Sequence, residues 1–166
     1  MKNAVFGAFI LFLALSSCRN DEFDYQRIDQ VLNLYIDSAR IDMLNSQLPN
    51  AYSSVSANDV YGLTDTAPVP IAVSKDKDTI NYIEYISGAK LKLIDSSNIN
   101  SKIYESKIAL IINRKLNDSV NSRFTDTLRL NYVLRSDLFQ VQKAWYNNQL
   151  VFTKVEGQPN IIKVSK

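Results

Sequence analysis

The chain has 166 residues, with 19 Lys+Arg against 17 Asp+Glu and a formal charge of +2. It is near neutral and only slightly basic, so composition gives no electrostatic footprint for nucleic acid. Histidine is absent, which removes the commonest general base and the commonest neutral metal ligand together, and the lone cysteine, Cys18, leaves no pair for a disulfide.

Residues 1–18 read MKNAVFGAFILFLALSSC, with Lys2 ahead of an uncharged apolar run over 4–15. The run is too short to span a bilayer, which takes roughly 20 apolar residues. Its length and basic start match the h-region of a cleavable secretory signal. Leu15-Ser16-Ser17 directly before Cys18 resembles the bacterial lipobox. The resemblance implies cleavage between Ser17 and Cys18, diacylation of Cys18, and a soluble domain held to the membrane by acyl chains, two or more of which anchor stably where one does not. Residues 1–17 are then the signal peptide, 18–27 a lipidated tether and 28–166 one globular domain, long enough to bury a substantial core.

The tether is polar and acidic, Arg19-Asn20-Asp21-Glu22-Phe23-Asp24, as suits a solvated spacer. Acidic residues just after a lipidated cysteine also resemble the export signal of Bacteroidota lipoproteins carried to the outer leaflet of the outer membrane. The expected location is therefore the bacterial outer membrane, lipid-anchored on the periplasmic face or at the cell surface. The expected partners are the membrane itself, through the anchor, and an envelope protein.

Residues 28–44 carry two periods. Ile28, Val31, Leu32, Tyr35, Ala39 and Met43 recur at helical spacing, whereas Leu32, Leu34 and Ile36 alternate with Asn33, Tyr35 and Asp37 as a strand would. Periodicity alone favours the helix. The stretch 45–56, with Pro49 and several Ser and Asn, reads as loop. From Val60 on the pattern is nearly all period two, with expected strands at 60–63, 69–73, 80–86, 89–94, 103–114, 126–135, 139–146, 150–155 and 161–164. In the clearest of them Leu128, Leu130, Tyr132 and Leu134 share one face and Arg129, Asn131 and Arg135 the other. Tyr146-Asn147-Asn148-Gln149 suits a tight hairpin, because asparagine tolerates positive φ.

Many short strands with regular turn signals predict a mainly β fold, an antiparallel β-sandwich that is immunoglobulin-like or similar. It leaves room for one N-terminal helix; a helix packed on an antiparallel sheet, an α+β arrangement, is the alternative. Val60-Tyr61-Gly62-Leu63, Asp126-Thr127-Leu128-Arg129-Leu130-Asn131-Tyr132, Phe139 and the stretch 144–152 resemble the core strands of a family of small uncharacterised Bacteroidota lipoproteins. That resemblance implies a sandwich and no particular activity.

Five Asp-Ser or Asp-Thr pairs precede an apolar residue, placing Ser38, Thr66, Thr79, Ser119 and Thr127 in one pattern, where independent placement gives about one. Such pairs start turns by bonding their own backbone. They also resemble the O-glycosylation sequon of Bacteroidota, which implies glycans on those hydroxyls. Both readings put the residues at surface turns. Ser74-Lys75-Asp76-Lys77-Asp78-Thr79 lacks the glycine and distal glutamate of a calcium loop and reads as a charged hairpin tip, so no metal or cofactor is expected. No nucleophile motif is present, and the reading is of a non-catalytic accessory or interaction protein. A small-ligand or glycan binder is the second reading, and a hydrolase built on paired carboxylates the third. Trp145 and Tyr146, beside the asparagine turn, are the candidate binding residues. A rim aromatic is a common anchor for sugars or proteins, although the favoured place for Trp145 is the core, against Leu150 or its neighbours.

Overall fold

The computed structural model describes residues 26–115 and 120–166. Among them there are thirteen strands and no helix. The first nine in chain order are β1 (Arg27–Asp29), β2 (Leu32–Ser38), β3 (Ile41–Asp42), β4 (Tyr52–Asp59), β5 (Pro68–Val69), β6 (Ala72–Lys75), β7 (Asn81–Tyr85), β8 (Lys92–Asp95) and β9 (Lys102–Lys115). Four more complete the set: β10 (Asn121–Leu134), β11 (Leu138–Tyr146), β12 (Gln149–Thr153) and β13 (Asn160–Ser165). The larger sheet runs β1-β11-β10-β9-β4-β5, with β12 also on β11 and β8 also on β9. The smaller runs β13-β2-β7-β6, with β3 on β2. Buried residues from both sheets form one apolar cluster, so the protein is a mainly antiparallel β-sandwich.

Strand length shapes the larger sheet. β9 and β10 are 14 residues each and pair along their whole length, Lys102↔Leu134 through Lys115↔Asn121. At about 3.4 Å per residue that is ~48 Å, more than twice an ordinary strand. A shorter strand covers only part of such an edge, so β8 and β4 share one side of β9, and β1 and β12 share the outer side of β11. Alternation then sorts the side chains. Asp126, Leu128, Leu130 and Tyr132 of β10 are buried between the sheets, while Thr127, Arg129 and Asn131 lie half-buried on the outer face.

The N-terminal helix is not formed; residues 28–44 are β1, β2 and β3. The period of two wins because β2 has a neighbour on each side. β13 runs parallel to it, Leu32↔Asn160 through Asp37↔Ser165, and β7 antiparallel, Leu32↔Tyr85 to Leu34↔Ile83. Leu32, Leu34 and Ile36 are 0, 0 and 2% exposed, whereas Ile28, which a helix would bury, is 63% exposed. Ala39 and Arg40 take φ of 48° and 68°, which turns the chain back into β3 and is incompatible with a right-handed helix.

Several strand boundaries also move. The expected loop over 45–56 contains the start of β4, and the expected strand at 60–63 is instead the turn that follows it. β4 alternates weakly because Ser54, Ser56 and Asn58 pair on the outer face with Asn113, Ile111 and Ala109. The expected strand at 69–73 splits at Pro70, which has no N–H to give a ladder: β5 belongs to the larger sheet and β6 to the smaller. The expected strand at 89–94 starts later, at Lys92.

Candidate functional site

The β11–β12 hairpin turns on Asn147 and Asn148 at φ 47° and 69°, the two left-handed positions of a type I′ turn. It sends Trp145 to the outer face and Tyr146 inward. Trp145 is half-buried rather than in the core; it does stand opposite Leu150, and on its other side opposite Arg129. The Arg129 guanidinium lies 4.0 Å from the indole centroid, a cation–π contact that occupies one ring face. From Arg129 the contacts continue across the sheet. Its Nη1 is 3.5 Å from Glu105, which also accepts a 2.5 Å hydrogen bond from the Tyr61 hydroxyl, and Lys92 sits 5.6 Å over the Tyr61 ring. The bond to Glu105, then burial, raises the Tyr61 phenol above its ordinary value. Arg129 Nε and Asn131 Oδ1, buried on this face, have no hydrogen-bond partner.

Tyr146 is not an exposed rim residue: it is 4% exposed. Its hydroxyl donates to Asp126 Oδ2 at 2.6 Å and Asn147 Nδ2 donates to Oδ1 at 2.7 Å, while Lys166 Nζ pairs with the same carboxylate. Burial pushes the Asp126 carboxyl up, but the bonds from Asn147, Lys166 and Tyr146 outweigh it and hold the group below its ordinary value. The Tyr146 phenol is pushed up, by burial first and then by the carboxylate beside it. The Lys166 ammonium stands 5.0 Å from the Phe124 centroid, 5.5 Å from Tyr146 and 5.8 Å from Tyr52. Three rings and a carboxylate, from β4, β10 and β11, therefore surround one cation delivered from the other sheet. Spacing in the sequence gave no sign of this, because its members are up to 114 positions apart.

The hydroxyls of the five-member pattern separate in space. Thr66 and Thr79 are exposed in turns, and Thr79 has φ 67° in the β6–β7 hairpin tip. Ser38 ends β2 with its hydroxyl on the Lys166 carbonyl at 2.8 Å. Thr127 is not at a turn: it is half-buried within β10, and the aspartate before it belongs to the ring cluster. Ser119, Ser17 and Cys18 lie outside the described residues.

Other carboxylates have structural partners. Asp42 accepts from Leu44 N and from both nitrogens of Asn81, Asp59 from the backbone of Tyr61 and Lys90, and Asp29 from Asn160 while it pairs with Lys154. Among the described residues no group of three or more Cys, Asp or Glu side chains could hold a metal, and no helix is long and apolar enough to cross a membrane.

β8 differs from every other strand of comparable length. All four of its residues are exposed, Leu93 at 48% and Ile94 at 44%, and Leu91 just before it is 41% exposed. Among the described residues it pairs only with β9, which leaves its other backbone edge without a strand there. Comparison with protein-family models, with curated proteins and with solved structures finds no match to the chain.

Proposed function

We propose that this is a lipid-anchored protein of the bacterial outer membrane, of Bacteroidota type, whose β-sandwich takes part in a non-catalytic interaction with an envelope protein. The anchor rests on the sequence of residues 1–18, with Cys18 as the acylated residue. The interaction reading is carried by β8, an edge strand that exposes Leu93 and Ile94 between Lys92 and Asp95. Unpaired edge N–H and C=O groups template the addition of a partner strand, and the exposed Leu93 and Ile94 offer it apolar contact. The structural bonding of Asp29, Asp42, Asp59 and Asp126 supports a non-catalytic role.

The test is capture from detergent-solubilised envelopes with the wild-type chain and with a Leu93→Lys/Ile94→Lys variant. A stable complex recovered by wild type and lost by the variant is the expected result. Recovery of nothing by wild type, or of the same complex by both, overturns the proposal. For the anchor, labelled palmitate is expected to enter the wild-type chain and not Cys18→Ser, and equal membrane retention of the two rejects it.

Ligand or glycan binding at Trp145 is the second reading, favoured by the unpartnered Nε of Arg129, whose guanidinium lies over the indole. Loss of glycan-array signal in Trp145→Ala, with the fold intact, is its test. We also propose Thr66 and Thr79 as the glycan-bearing hydroxyls, since both are exposed in turns. Mass spectra of native material showing only unmodified peptides would remove that assignment.

A further inference from the structure

The geometry points to a binding site for an unbranched aliphatic ammonium ion in the cage of Tyr52, Phe124, Tyr146 and Asp126, a site that Lys166 occupies and yields to the ligand. The cage is complete without Lys166. Tyr52 and Phe124 meet edge to face at 5.7 Å between centroids, Tyr146 is fixed by its bond to Asp126, and Asn147 holds the second carboxylate oxygen. Every ring centroid lies within the ~6 Å over which a ring quadrupole attracts a cation. The Asp126 side chain is 8% exposed, and a buried carboxylate without a counter-charge is costly. The site therefore selects for positive charge whichever molecule brings it.

Lys166 is a removable occupant. It follows β13 and is attached by its N–H to the Asp37 carbonyl at 2.9 Å and by its carbonyl to Ser38 Oγ at 2.8 Å. Neither bond involves the side chain, and the side chain is 27% exposed, so it can leave the cage while the strand stays paired. The space it leaves has the shape of its own stem, four methylenes and an ammonium, which fixes the ligand class as a linear alkylamine. Asp37 stands at the same end of the sandwich, with its carboxylate bonded to Ser165, and disfavours a ligand that carries phosphate beside the amine. The site is separate from β8: Asp126 pairs with Leu110 of β9, whereas β8 lies against Ile103, Tyr104 and Glu105.

A tethered side chain competes at millimolar effective concentration, and a ligand that must wait for it to leave binds more weakly by the fraction of open cage. The test is titration of n-butylammonium into full-length wild type, Lys166→Ala and Lys166→Ala/Asp126→Asn. Ring-current shifts of the ligand methylenes are followed by NMR, with 1-pentanol as the uncharged control. The expected result is saturable binding to Lys166→Ala, at least tenfold weaker binding to wild type, and loss of binding in the double variant and for pentanol. No saturable binding to a folded Lys166→Ala overturns the proposal; so does equal affinity for wild type, or binding that survives Asp126→Asn. If Lys166→Ala does not fold alone, refolding restored by n-butylammonium and not by pentanol supports the site, and failure of both rejects it.

Discussion

Asn147 tests whether the hairpin and the buried carboxylate are one structural unit. Its side chain gives a 2.7 Å hydrogen bond to Asp126 and accepts one of 2.8 Å from the Thr127 N–H, at φ 47°. Substitution by glycine removes both bonds and keeps the left-handed conformation free of strain. A hydrogen bond to a charged group contributes about 1.5–3 kcal/mol and a neutral one about 0.5–1.5. Because the two share a site and do not fully add, Asn147→Gly is expected to cost ~3 kcal/mol. Asn147→Ala loses the same bonds and also places a Cβ in the left-handed region, at about 1 kcal/mol more. Urea denaturation of the two variants beside wild type gives both numbers from the midpoints at constant slope. If glycine is as costly as alanine, backbone strain plays no part; if both stay within about 0.5 kcal/mol of wild type, ordinary for a surface turn, the coupling to Asp126 is wrong.

Leu34→Ala, at a fully buried position of β2, is expected to cost about 3–4 kcal/mol, and Ile28→Ala less than ~0.5; calorimetry showing the reverse order would restore the helical reading. Because the Asp126 carboxyl is held below its ordinary 3.8, its stabilisation is full above that pH and is lost as pH falls through the lower folded value. Asp126→Asn is accordingly expected to be less stable at neutral pH with a flatter stability curve below about pH 4, and a curve parallel to wild type refutes the assignment. Gly88→Ala places a Cβ 2.8 Å from Pro70 Cδ at φ 118° and is expected to destabilise by roughly 1–3 kcal/mol, as read by thermal unfolding.

What could be read from the sequence was whatever one strand states about itself. β10 was legible because its buried and outer faces differ in chemistry, and the asparagine hairpin because left-handed φ favours that residue. β2 was not, since its helical and strand periods coexist and the neighbours that decide between them lie as far away as Ser165. β4 was hidden by serines on an outer face that bears no apolar burden. The Asp126-Thr127 pair looked like a turn because aspartate so often bonds its own backbone, but its oxygens are taken by Tyr146 and Asn147, about twenty positions on. The cage was illegible for the same reason: one β4 ring, one β10 ring and a lysine beyond β13 become neighbours only after both sheets close.

The parallel pairing of β2 with β13 governs when the chain can fold. The central strand of the smaller sheet finds its neighbour only once residues 160–165 exist, and contacts so distant in sequence make folding slow. A nascent chain lacking that last segment leaves Leu32, Leu34 and Ile36 with one flank open, so the smaller sheet closes last and from its far end.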